Sequence, residues 1–273
     1  MWLRLKDDCM VIELIDVFAG YRKGGFVLRG VNLRISSNTI VLGPNGSGKT
    51  TLLRAIIGTV VSRKGRVVID GVDVDSINGS PGLVSANLPE LVIRSRLPVK
   101  HIASLYLDLV NGDYDHFKEI VSRIGEENAL DKGLHELSAG LRIVVLNALA
   151  LAAKAKYILL DEPFENLDPA RRVAMLNEIV KSSGIKVMAT HTTWLLRTLD
   201  VWDIYLIVEG LIYGSLKQYE LIELKISREP ISDAVLSIKL RSGSEVYLSR
   251  RTGVPLSILD SLDKLYEVLT WQY

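Results

Sequence analysis

Cysteine is almost absent from this chain of 273 residues, where Cys9 stands alone. One thiol forms no internal disulfide, and without a neighbouring Cys/His cluster it offers no structural zinc site. A reducing compartment suits that usage. An excess of one charge sign is absent too, since 33 Lys+Arg meet 32 Asp+Glu for a formal charge of +1. So even a balance gives no global field for nucleic acid or anionic lipid, and no nucleic-acid partner is expected. Long apolar runs are also missing. The most hydrophobic stretch, Ile143 to Ala153, is flanked by Arg142 and Lys154 and falls short of the ~20 residues that span a bilayer. Asp7 and Asp8 stand where a secretory leader needs its apolar core, so an unsecreted chain is expected. Met10, which opens the strand-like run to Leu14, is an alternative start. Internal repeats and heptad runs long enough for a coiled coil are not found.

What is present is ordinary globular composition, 48% hydrophobic and 24% charged. The length fits one large domain, or a main domain with a small one, at about 150 residues per domain. Alternation predicts strands over Val11–Phe18 and Val27–Ile35, a hairpin closed by the turn-rich stretch Gly20 to Gly25. Thr39–Leu42 is a short apolar strand that runs into a glycine-rich loop, and Lys49–Gly58 then reads as a helix. Further short strands are expected at Arg66–Ile69 and Gly82–Ser85. From Pro98 the period becomes helical, with Ile102, Leu105 and Leu109, then Phe117, Ile120, Val121 and Ile124, broken at Asn111-Gly112. Leu141–Ala153 is a very apolar helix, Tyr157–Leu160 a strand buried on both faces, Pro169–Lys181 a helix and Lys186–Thr190 a strand. Strands alternating with helices make the fold class α/β with a parallel sheet. After Gly214 the pattern changes to a hairpin, Val235–Leu240 and Glu245–Leu248 across Ser242-Gly243-Ser244, followed by a helix over Ser257–Thr270.

Gly43-Pro44-Asn45-Gly46-Ser47-Gly48-Lys49-Thr50 fits the phosphate-binding loop GxxxxGK[ST] in its required strand–loop–helix setting. Glycines let backbone N–H groups surround the phosphates, Lys49 reaches the terminal ones, and the Thr50 hydroxyl faces Mg²⁺ at a helix N-terminus that favours anions. By chance, only about one random chain in a hundred of this length would match the four fixed positions. Nucleotide hydrolysis also needs a second Mg²⁺ ligand and a group that orients the attacking water. Asp161-Glu162, two carboxylates directly after the buried run Tyr157–Leu160, supply both. Asp161 reads as the magnesium-side residue and Glu162 as the catalytic base.

With these motifs in this order, the chain from about Met10 to about Gly214 resembles the ATP-binding-cassette (ABC) ATPases. The family's signature, usually LSGGQ, appears as Leu137-Ser138-Ala139-Gly140-Leu141 just before a helix. The resemblance implies a P-loop core with an antiparallel β subdomain and a helical insert at about residues 90–135. It assigns ATP and Mg²⁺ as cofactors, and it places Ser138 and Gly140 on the γ-phosphate held by an opposite, head-to-tail protomer, in a homo- or heterodimer. Thr51 falls in the nucleotide-binding set. Asp168, in Glu165-Asn166-Leu167-Asp168, sits at the family's D-loop, although helix capping alone also explains it. His191 matches the switch histidine that approaches the γ-phosphate. Tyr21, read in the turn before the second strand, matches the aromatic that stacks on adenine, with a half-buried tyrosine as the alternative. Asn87 takes the place of the Q-loop glutamine as a shorter amide for Mg²⁺ or a water, with a plain loop asparagine as the alternative. A glutamine there is expected to preserve or raise Mg-dependent turnover.

The activity implied is Mg-dependent ATP hydrolysis that closes and opens a dimer. The leading reading is the ATP-binding subunit of an ABC transporter, peripheral on the cytoplasmic face through integral membrane permease subunits. By resemblance, the insert around Pro98 to Leu130 and the Asn87 loop would receive a cytoplasmic helix of the permease. A soluble assembly or repair ATPase, or a catalytically weakened regulatory cassette prompted by Ala139, Leu141 and Asn87, are the alternatives. Residues 215–273 read as a small C-terminal domain, regulatory, dimer-stabilising or passive. Its eight Lys+Arg and eight Asp+Glu make it no electrostatic arm.

Overall fold

The computed structural model describes residues 10–77, 80–88, 96–199, 201–227, 229–240 and 243–255. In chain order the elements begin with β1 (Ile12–Arg22), β2 (Gly25–Ile35), β3 (Thr39–Leu42), α1 (Lys49–Ile56), β4 (Ser62–Ile69), β5 (Val72–Asp73) and β6 (Val84–Ala86). There follow α2 (Val99–Val110), α3 (Tyr114–Ile124), α4 (Ala139–Ala152), β7 (Tyr157–Asp161), α5 (Pro169–Lys181) and β8 (Ile185–Thr190). The remainder is β9 (Asp203–Val208), β10 (Leu211–Leu216), α6 (Gln218–Glu223), β11 (Lys225–Ser227), β12 (Leu236–Lys239), β13 (Glu245–Ser249) and β14 (Val254–Pro255). This is the expected α/β class. The helix expected over Ser257–Thr270 lies outside the described residues.

Two compact units are distinguished, one from the described residues of 1–78 and 189–273, the other from those of 79–188. In the first, an antiparallel sheet runs β2-β1-β4-β5. The β1–β2 hairpin is longer than alternation indicated, because its turn is only Lys23-Gly24 and the strands meet at Arg22 and Gly25. Gly20, which reads as loop, lies inside the strand: a Cβ there would sit 2.1 Å from the Gly25 carbonyl oxygen, so the backbones approach where only glycine fits. The same unit pairs β3 with β9 in parallel, Thr39 opposite Asp203 and Leu42 opposite Leu206. Strand β10 joins β9 antiparallel. Near the C-terminus β12-β13-β11-β14 form a separate four-stranded sheet. The expected hairpin of that region is β12 with β13, Leu236 opposite Leu248 and Lys239 opposite Glu245.

In the second unit β6 pairs β7 in parallel, Val84 opposite Tyr157 and Ala86 opposite Leu159. Helix α3 starts where the Asp113 carboxylate accepts the His116 amide at 3.0 Å, and it buries Phe117, Ile120, Val121 and Ile124 as their spacing predicts. Helix α2 behaves differently. It buries Val99, Ala103 and Leu107 and leaves Leu105 and Leu109 61% and 68% exposed. The left-handed Asn111 ends it, at the expected break. Helix α4 is buried on nearly every side, with Leu141, Val144, Val145, Leu146, Leu149 and Leu151 all in the core. Each such side chain contributes about 1.5–3 kcal/mol on burial, which outweighs the low helix propensity of the two valines.

Candidate functional site

In the first unit, β3 buries all four of its residues and delivers the chain to Gly43. The Gly43 amide donates to the Thr190 carbonyl at 3.0 Å, and the Ser47 amide to the Pro44 carbonyl at 3.2 Å. From the turn between β9 and β10, the Gly210 amide donates to the Ser47 carbonyl at 2.8 Å. The loop is thus fastened at both ends by strands far away in sequence. Helix α1 opens at Gly48, φ 111, with no side-chain cap on its first-turn N–H groups. Lys49 is 6% exposed, and its ammonium turns back to donate to the carbonyls of Gly43 at 2.8 Å and Pro44 at 3.1 Å. Ser47 Oγ, in a residue 1% exposed, has no hydrogen-bond partner among the described residues. An inward cation, a helix N-terminus that opens on a glycine and an orphaned buried hydroxyl together suit a polyanion. Those residues therefore fit the phosphates of a nucleotide. Asn45 and Gly46 are exposed at the loop tip, Thr50 is half-buried and Thr51 is buried.

Tyr21 belongs to β1, not to the turn. Its hydroxyl accepts from Arg54 Nη1 at 2.9 Å and from Thr51 Oγ1 at 3.2 Å, and the Arg54 guanidinium carbon lies 5.3 Å from the ring centroid. The ring, 39% exposed, is thereby held beside the first turns of α1. His191 follows β8 directly and is half-buried. The Thr190 hydroxyl accepts the Thr192 amide at 3.2 Å and shapes that turn.

In the second unit, β7 ends at Asp161, and Glu162 follows with φ 43, an uncommon left-handed conformation for a non-glycine residue. Holding it costs about 1–3 kcal/mol and is typical of sites that aim a side chain. The carbonyl of Glu162 accepts the Glu165 amide at 3.1 Å. Asn87 is 2% exposed, and its amide grips the main chain of Asp161 from both sides: Oδ1 accepts the Asp161 N–H at 2.7 Å and Nδ2 donates to the Asp161 carbonyl at 3.0 Å. Nδ2 also donates to Asn147 Oδ1 at 2.8 Å. Placed in sequence as a magnesium-side amide, Asn87 in this structure has both polar atoms engaged with protein.

Ser138 caps α4, its Oγ accepting the Leu141 amide at 3.2 Å. Leu141 itself, where the signature usually has glutamine, is 6% exposed and packs beside Gly125. Gly140 touches the loop after β7 so closely that a Cβ there would lie 2.6 Å from the Asn166 carbonyl oxygen. Overpacking of that kind costs about 1–3 kcal/mol. We therefore expect Gly140→Ala to lower stability by about that amount in urea unfolding and to displace Asn166; an unchanged midpoint would mean the helix start has room to move.

Asp168 caps α5, accepting the Arg171 amide at 3.0 Å. That backbone hydrogen bond, followed by the Arg171 charge, holds its carboxyl below the usual carboxylate range. A depressed folded-state value means the unfolded chain binds the proton first as pH drops. The cap therefore stabilises at neutral pH and is lost as pH falls through the folded value. In urea unfolding, the lead of wild type over Asp168→Ala is expected to be full at about pH 7 and to narrow below about pH 4. A lead that stays constant across that range would show that the carboxylate charge does nothing for the cap.

One site residue is not picked out by any motif. Asn147 sits in the run Ile143-Val144-Val145-Leu146-Asn147-Ala148-Leu149, is 0% exposed, and donates through Nδ2 to the Pro163 carbonyl at 2.7 Å. The signal was available: a lone amide inside an otherwise apolar, buried helix needs polar partners, since leaving one unsatisfied costs about 1–3 kcal/mol.

Comparison with known proteins shows the family. The family model described as ABC transporter matches residues 28–165. A Pyrococcus abyssi protein provisionally named an ABC transporter ATP-binding protein is 30% identical over 230 residues, 79% of this chain and 87% of its own length. The energy-coupling factor transporter ATP-binding protein EcfA of Methanocaldococcus jannaschii is 30% identical over 66% of this chain and 70% of its own. A crystal structure of a protein provisionally named a cobalt transport ATP-binding protein superposes with a TM-score of 0.83 at 32% identity, covering 94% of this chain and 99% of that one. With the phosphate loop, the paired carboxylates and the signature all borne on this fold, the chain belongs to the ABC transporter family.

Proposed function

We propose that this chain is the ATP-binding and hydrolysing subunit that powers an ABC transporter. The observation that carries the reading is the loop at the start of α1, where the buried Lys49 ammonium rests on the Gly43 and Pro44 carbonyls. Phosphate oxygens are better acceptors for that cation than neutral carbonyls, so nucleotide replaces the internal contacts. Gly43 to Thr51 bind the phosphates, and Tyr21 takes the adenine. Thr50 at the start of α1 and Asp161 at the end of β7 are each read as a Mg²⁺-side residue, and the ion would supply neutralisation of the charge that develops on the phosphates. Glu162 accepts a proton from the attacking water, and His191 contacts the γ-phosphate side. Ser138 and Gly140 complete the site of a second, head-to-tail copy or homologous subunit, with Asp168 in the loop at that junction.

No helix among the described residues is long and apolar enough to cross a membrane. The reading assigns translocation to separate permease subunits and places this chain on the cytoplasmic face through them. Supporting that partner, α2 turns Leu105 and Leu109 outward, an apolar stripe that a permease helix would cover. Residues from 215 on, including the β12-β13-β11-β14 sheet, are read as a regulatory or dimer-stabilising domain.

The test is co-purification of tagged Glu162→Gln protein with ATP from efficiently solubilised membranes. A polytopic membrane protein in stoichiometric amount is the expected result. Recovery of soluble assembly factors alone would overturn the transport reading in favour of a non-transport ATPase.

A further inference from the structure

Asn87, Asn147, Asp161 and Pro163 form one buried polar chain in which every contact is between distant parts of the sequence. Asn147 donates to the Pro163 carbonyl at 2.7 Å and accepts from Asn87 at 2.8 Å, while Asn87 clasps both main-chain groups of Asp161. Glu162 lies between the two clasped positions, Asp161 and Pro163. Its left-handed backbone is a conformation that relaxes unless its neighbours are held. Both neighbours are held, one by Asn87 and the other by Asn147. Asn147 is also nine residues along α4 from Ser138, about 13 Å at the helical rise, on a helix buried nearly all round.

We propose that Asn147 is a positioning residue for hydrolysis: through Asn87 and the Pro163 carbonyl it fixes the backbone on either side of Glu162 and ties it to the helix that begins at the signature. The inference rests on Glu162 being the general base. It acts on how the base is aimed: Asn87 holds Asp161 by its main chain, and none of the four residues belongs to the phosphate loop. It also reverses one expectation from the sequence. At 2% exposure with both amide atoms engaged, Asn87 would have to be replaced by a glutamine whose extra methylene enters a buried, hydrogen-bonded position, so Asn87→Gln alone is expected to lower turnover. Asn147→Ala vacates about one carboxamide beside it, and the pair of changes conserves volume.

The experiment measures Mg-ATP hydrolysis and ATP binding by the purified full chain carrying Asn147→Ala, Asn147→Ser, Asn87→Gln, or Asn87→Gln with Asn147→Ala. For Asn147→Ala, kcat is expected to fall about 10–100-fold while KM and the ATP dissociation constant stay within about twofold. The double variant is expected to exceed the product of the two single effects by about fivefold or more. A role in packing alone would lower thermal stability and the active fraction without this split between kcat and ATP affinity. Should Asn147→Ala fail to fold, Asn147→Ser and Asn87→Gln carry the same split. Folded Asn147 variants with wild-type kcat, or single effects that multiply in the double variant, overturn the proposal. Glu162→Gln assayed beside them separates the two readings: wild-type turnover there removes the base assignment itself, whereas an inactive Glu162→Gln with an active Asn147→Ala removes only the positioning role.

Discussion

Lys49→Ala is expected to bind ATP about 100- to 10,000-fold more weakly than wild type. The ammonium, enclosed at 6% exposure, already makes two hydrogen bonds to loop carbonyls, and a phosphate takes both. Hydrogen bonds involving a charged group are worth about 1.5–3 kcal/mol each, and two amount to about 3–6 kcal/mol. At about 1.4 kcal/mol per factor of ten, that is the stated loss. The fold survives the change, because α1 is anchored by Leu52, Leu53 and Ile56, each fully buried. Isothermal titration with ATP, alongside far-UV circular dichroism, reads both halves of the expectation. Wild-type affinity in a folded Lys49→Ala protein would place the phosphates elsewhere.

Glu162→Gln is expected to keep ATP affinity and lose about 100- to 10,000-fold in kcat, the usual range for removing a positioned general base. Glutamine is nearly isosteric with glutamate but cannot take a proton from water. Because its backbone is fixed by the Asp161 and Pro163 contacts, the substituted side chain occupies the same place. Bound ATP then persists, and under the proposed head-to-tail pairing a two-copy form is expected to accumulate. Size-exclusion chromatography with Mg-ATP is expected to shift Glu162→Gln, and not Lys49→Ala, to the size of a dimer. Hydrolysis at the wild-type rate by Glu162→Gln would mean that another group activates the water.

Where chemistry depends on local spacing, the amino-acid order was enough. The phosphate loop, the carboxylate pair and the helix starts at Ser138 and Asp168 are legible because each acts on groups within a few residues of itself. The buried stripe of α3 is legible for the same reason, since its period is intrinsic to the helix. Strands β9 and β10 escaped notice although they hold the loop through Gly210, and nothing local to Gly210 announces a partner at Ser47. Helix α2 shows the converse. Its leucines have helical spacing, but which side of a helix is covered depends on what packs there, and here that side is Val99, Ala103 and Leu107.

Sequence alone determined the α/β class and the family's motifs in their order, because those are set by short-range backbone geometry and by which side chains carry charge. Only the tertiary structure decided what Asn87 and Asn147 do. Their partners lie 74, 60 and 16 residues away, and a hydrogen bond that long in sequence exists only after β6, β7 and α4 have packed. A short amide at position 87 reads as a weakened ligand when taken by itself; once folded, with the Asp161 backbone on one side and Asn147 on the other, it is a clasp on the end of β7.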